Sequence, residues 1–172
     1  MNTGQTMITM AAMALLSLVV LNVNRNALNS TTGMAENKYN ILAISLGTAL
    51  IEEAFSKSFD QNSTDGNVVE DLNQLTVNLG PGSSENSRSD FNDFDDYNNL
   101  IDSTSSDPTL VSADFIIQSK VYYVDPNLSN RLTPVNYATW HKKIDVSVSS
   151  PYINEGQDTI KLSKVFSHYY FR

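Results

Sequence analysis

The chain has 172 residues, 41% of them hydrophobic, with 11 Lys and Arg against 19 Asp and Glu for a formal charge of −8, a length suited to one domain rather than several. Its charge is uneven: Met1–Lys57 holds three basic and three acidic residues, Ser58–Ala113 one and eleven, and Asp114–Arg172 seven and five. An acidic middle without a Lys/Arg cluster argues against nucleic-acid binding. The absence of cysteine excludes both a disulfide framework and a thiolate metal site.

No charged side chain occurs before Arg25, and Met7–Val23, MITMAAMALLSLVVLNV, is almost wholly apolar. A removable secretory signal is disfavoured, because such signals carry a basic leading region and a small-residue cleavage site after the apolar run. Here Ala12-Met13-Ala14 lies inside the run. As a bilayer-spanning helix the segment reaches the lower limit of the roughly 17–25 residues required. Arg25, just beyond it, would by charge alone favour a cytoplasmic head.

Asn29-Ser30-Thr31-Thr32-Gly33 is poor in helix formers, and a break or weakening is expected at Gly33. Helical spacing resumes over Met34–Phe59, where Ile41, Ile44, Ala49, Leu50 and Phe55 share one predicted side with Leu42, Leu46 and Ala54 close by. The two pieces joined would make a rod of about 50 residues, on the order of 75 Å long. The domain plan is therefore an N-terminal helix over 1–57, with 1–28 as an apolar assembly or membrane segment and 34–57 as an amphipathic half. A β-rich head over 58–172 follows, with an acidic loop at 58–113.

Within the loop region, Asn62–Asn67 and Gly80–Ser84 are turn-rich, and Val68–Leu79 offers a short ambiguous element. Asp90–Asp102, DFNDFDDYNNLID, reads as a solvated acidic loop. Asp90, Asp93, Asp95 and Asp96 are weak candidate oxygen ligands for Ca²⁺, at a spacing that does not fit an EF-hand. Strand chemistry follows in Asp114–Val124, Lys143–Ser149 and Thr159–Tyr170. Strict alternation places Ile144, Val146 and Val148 on one face, which implies an antiparallel sheet covered on one side, naturally by the second half of the helix. His141 and His168 read as chance placements in strand-like segments. No nucleophile elbow or phosphate loop is present, so no enzyme and no cofactor are expected. Asn29, Asn62 and Asn127 head N-x-S/T triplets, which permit surface glycans.

The uncharged near-N-terminal run led by Gln5-Thr6-Met7-Ile8-Thr9, the helix continuing past it, the acidic loop and the C-terminal strands together resemble a type IV pilin or pilin-like subunit. The loop FNDFDDYNNL is similar to a phrase of some minor pilin-like proteins. YYVDP, HKKIDVSVSSP and TIKLSKVFS resemble strands of the same heads. The resemblance covers most of the chain in architecture, through short motifs. It implies an α+β fold in which a long N-terminal helix packs by its C-terminal half on a small antiparallel sheet. It also implies a structural subunit of an extracellular type IV pilus-like filament. Its partners would be identical subunits in a helical homopolymer, the inner membrane before assembly, and the pilus assembly machinery. Met7, Ile8, Met10, Ala11, Ala14, Leu15, Leu18, Val19 and Leu21 would form the assembly core. One departure stands out: the family has Glu at the fifth mature position, where it neutralises a neighbour's terminal amine. Here that position is Gln5 counted from Met1, or Thr9 if a leader ends at Gly4, and Gln5 would be a registration contact by hydrogen bonding alone. The alternatives are a pseudopilin of a type II-like secretion system and a single-pass, membrane-anchored surface binding protein.

Overall fold

The computed structural model describes residues 2–106 and 113–168, so the expected strand end at 169–170 and the last part of the acidic loop, 107–112, lie outside the described residues. The fold is α+β, with one long helix α1 (Thr3–Phe55) followed by a five-stranded antiparallel sheet. The chain divides into two compact units, Met1–Lys38 and Tyr39–Arg172.

Helix α1 contains no proline and runs through Gly33 without interruption, which corrects the expected break. A single interior glycine costs a helix only about 1 kcal/mol, and the hydroxyl-rich turn before it is absorbed into the helix. Thr31 Oγ1 donates to the Ala27 carbonyl at 2.9 Å and Thr32 Oγ1 to Leu28 at 3.0 Å. Such back-bonding satisfies side chains that would otherwise compete with the helix.

In the second unit, helix residues Ala43, Gly47, Leu50, Ile51 and Ala54 are buried, a spacing of one helical face. This face is rotated from the expected one, since Ile41, Ile44 and Ala49 are exposed. The rotation follows from size at the contact: small Ala43, Gly47 and Ala54 let the helix backbone approach the sheet. A Cβ built on Gly47 would lie 2.7 Å from Leu162 Cδ1 and 3.3 Å from Val148 Cγ2. Leu162 can shift to admit one methyl, and the helix gains propensity, so Gly47→Ala should change stability by less than about 1 kcal/mol. Gly47→Leu overpacks the seam and should cost about 1–3 kcal/mol. Thermal unfolding of both variants checks this; a Gly47→Leu melting point at or above wild type would refute close packing at the seam.

The strands are β1 (Ile101–Ser103), β2 (Ile116–Val124), β3 (Pro134–Val135), β4 (His141–Ser149) and β5 (Thr159–Ser167), in the order β1-β2-β4-β5 with β3 also on β2. The short β1 pairs with Ile116–Gln118 and β3 with Tyr123–Val124, so the two share one edge of β2 at opposite ends. The long pairings place Val121 beside Ile144 and Val146 beside Leu162. Strand β4 alternates along its whole length, with Lys142, Ile144, Val146 and Val148 buried. Of the earlier connection, Leu72–Gln74 is a single 3₁₀ turn. At the C-terminal end of α1, Phe55 stacks on Phe166 at 4.8 Å and meets Phe94 edge-on at 5.5 Å, and Phe59 packs on Phe166 at 5.4 Å. These rings tie helix, loop and last strand into one core.

Candidate functional site

Two features of the molecule carry chemistry beyond packing. The first is the apolar segment of α1. Met7, Ile8 and Met10 are 71–74% exposed, Leu15 65%, and Leu18, Val19 and Leu21 58%. Ala11, Ala14 and Gln5 are exposed as well. The few hydroxyls in this stretch are internally satisfied: Thr9 Oγ1 donates to the Thr6 carbonyl and Ser17 Oγ to Met13, each at 2.9 Å. What remains is a helix with apolar side chains all round and no polar face of its own, long and apolar enough to cross a membrane. Such a surface is suited to lipid or to other apolar helices.

The second is a buried ionic centre in the head. Lys142 is fully buried, and its Nζ donates to Asp60 Oδ2 at 2.8 Å, Asp95 Oδ1 at 2.5 Å and the Phe59 carbonyl at 2.9 Å. The ammonium also lies 4.7 Å from the Phe59 ring and 5.2 Å from that of Tyr123, near enough for cation–π attraction. Asp60 accepts from Thr76 N and Oγ1 and from Asn62 N, and Thr76 Oγ1 also lies 2.7 Å from Asp95 Oδ2. Burial alone would raise the Asp60 carboxyl, but the Lys142 charge and these hydrogen bonds hold it below its ordinary range.

The acidic stretch is thus not a solvated loop. Phe94, Tyr97, Asp93, Asp95 and Asp96 are all 2% exposed or less, because the aromatic residues interleaved with the acids enter the core and carry the carboxylates inward. The Ca²⁺ candidates are also divided among separate tasks. Exposed Asp90 accepts from Ser87 N and Oγ. Asp95 is committed to Lys142. Asp93 accepts from the backbone of Asp95 and Asp96, and Asp96 from that of Asn92 and Asp93. Among the described residues no group of three or more His, Cys, Asp or Glu side chains is placed to hold a metal ion.

A second ion network ties helix to loop and sheet: Arg88 bridges Glu53 at 2.5 Å and Asp102 at 2.6 Å, and Tyr97 Oη donates to Glu53 at 2.8 Å. The Arg88 hydrogen bonds hold Glu53 below its usual range. His141 Nδ1 lies 2.7 Å from Ser167 Oγ and burial lowers its pKa; His168 packs edge-on against Phe59 and beside Trp140. Asn29 is exposed on α1 and Asn127 in a turn; Asn62 Nδ2 is engaged with the Gln74 carbonyl at 2.6 Å. The outer sheet face forms an open concavity of about 550 Å³ lined by Gln118, Lys120, Asp145, Ser147, Lys161 and Ser163.

Neither Lys142 nor Asp60 belongs to a sequence motif that announces a site. The signal for Lys142 is its phase, since it shares the buried parity of Ile144, Val146 and Val148. Comparison with family models, with curated proteins and with solved structures gives no match.

Proposed function

We propose that this chain is a non-enzymatic structural subunit of an extracellular type IV pilus-like filament, polymerising through Met7–Val23. The observation that carries the reading is the helix segment on which Met7, Leu15, Leu18 and Leu21 are more than half exposed, joined in one sequence to a head with its own packed core. In a bilayer the helix satisfies its own backbone and its side chains meet lipid. In a filament the same side chains meet other copies. The two environments are similarly apolar, so transfer between them is near balance and close packing decides it. Ala11, Ala12, Ala14 and Ser17 are the small side chains that permit such packing. A repeated head-to-tail contact that does not close generates a helical polymer. Gln5 is exposed near the start of this helix, where it is the candidate registration contact, and the heads form the outer surface.

Deleting Met7–Val23 should release a soluble, monomeric head, measured by light scattering, and abolish filaments in the sheared cell-surface fraction viewed by electron microscopy. Filaments that persist after the deletion refute the proposal. Short periplasmic assemblies in place of long fibres would instead indicate a pseudopilin, and a chain that stays with the membrane after shearing would indicate a single-pass anchor.

A further inference from the structure

The head contains a carboxylate oxygen that its surroundings leave unanswered. Asp96 is 1% exposed; its Oδ2 accepts from Asn92 N at 2.8 Å and Asp93 N at 3.0 Å, while its buried Oδ1 has no hydrogen-bond partner among the described residues. The Glu85 carboxylate, itself 8% exposed, shares Asn92 with Asp96, since Asn92 donates its backbone N–H to Asp96 and its side-chain amide to Glu85. Its Oε2 accepts from Gly82 N at 2.6 Å and its Oε1 from Asn92 Nδ2. Two carboxylates facing each other out of water repel, and a buried acceptor without a donor is costly. One proton between them removes both problems.

The other charged groups around this pair are committed elsewhere. On β4, Lys142 bonds Asp60 and Asp95. At the end of α1, Lys57 Nζ donates to the Phe91 carbonyl. Arg88 is held by Glu53 and Asp102, and the hydroxyls of Tyr97 and Tyr123 go to Glu53 and to the Thr76 carbonyl. Asp93, in the same turn, lies against Asp95. No cation is left for Asp96 among these groups.

We propose that Asp96 is held as a neutral carboxylic acid whose Oδ1–H donates to Glu85, making the Gly80–Asn86 loop a proton-latched flap on the Asp93–Asp96 turn. The flap has a pivot in Gly80, at φ +144°, a conformation that L side chains rarely adopt. Burial, with the Glu85 charge acting in the same direction against the Asn92 and Asp93 backbone donors, raises Asp96 to about 6. Burial and the Asp95 charge raise Asp93 to about 8. Both lie above the ordinary 3.8, so the latch is strongest at acid pH and is lost as pH rises through about 6, while Asp93 in the adjoining turn ionises only as pH approaches about 8. Asp60, held below 3.8, acts in the opposite sense and loosens the head only in stronger acid.

The test is hydrogen exchange on the full chain in detergent micelles, corrected for the intrinsic pH dependence of exchange. Opening of Gly82–Asn86 should rise about tenfold between pH 5 and pH 8, while β4 amides change less. Asp96→Asn, whose amide can donate permanently to Glu85, should keep the flap protected at both pH values, and Glu85→Gln should weaken the pH response. Equal protection of the flap at both pH values in the wild type, or an undiminished pH response in Asp96→Asn, overturns the proposal. So does protection that follows added Ca²⁺ instead of pH.

Discussion

Lys142→Met should destabilise the head by about 3–5 kcal/mol, the cost of removing one member of a buried ionic group and stranding the rest. Lys142 has no access to water and contacts two carboxylates and a carbonyl. A methionine fills similar volume but leaves Asp60 and Asp95 facing each other without a cation. Domains are stable by only about 5–15 kcal/mol in total, so the variant should be near unfolding at room temperature. Urea denaturation followed through Trp140, the single tryptophan and two residues away in sequence, measures it. Lys164→Met is the control: Lys164 pairs with Glu52 at 2.7 Å, but the two side chains are 43% and 62% exposed. Exposed pairs contribute about 0–1 kcal/mol. Adding Asp60→Asn and Asp95→Asn to Lys142→Met should recover part of the loss, because the stranded charges are gone. Comparable effects of Lys142→Met and Lys164→Met would show that the buried centre is not a keystone of the head.

The same residue shows where sequence reasoning reaches its limit. Period-two alternation locates β4 from Lys143 to Ser149 and identifies its buried face, because one-sided burial imposes that pattern directly. It cannot say that a lysine continues the buried face, since the reason for tolerating Lys142 is a pair of aspartates more than 40 residues away in the chain. The acidic stretch is the complementary case. By composition Asp90–Asp102 belongs in water. Phe91, Phe94 and Tyr97 instead anchor it in the core, and one internal ammonium plus several backbone N–H donors make the burial tolerable. Helix α1 is legible in existence but not in detail. The expected break at Gly33 overweighted local propensity, and the expected face missed that Gly47 lets the helix pack tightly on Leu162 and Val148 of the sheet. β1 and β3, three and two residues long, exist only through pairing with β2, so no local pattern announces them.

Leu15→Lys should abolish filament formation and deplete the chain from membranes while leaving the melting of the head unchanged. Leu15 lies near the middle of Met7–Val23, and an ammonium there has several apolar turns on either side, too far for its stem to carry it readily to an interface. A lysine at the centre of a membrane helix costs about 3 kcal/mol by insertion scales, and between packed apolar helices it would have no partner. That cost recurs at every subunit of a polymer, so a filament amplifies what a single monomer in the bilayer tolerates. Val23→Lys, at the end of the segment and next to Arg25, should be much milder. Leu15 belongs to the Met1–Lys38 unit and the packed core to Tyr39–Arg172, which is why the head should be indifferent to either change. The readouts are membrane flotation, electron microscopy of sheared surface material, and calorimetry. Loss of membrane association with filaments intact would place the assembly core outside this segment. Normal filaments and normal membrane association in Leu15→Lys would remove the apolar helix from the assembly mechanism altogether.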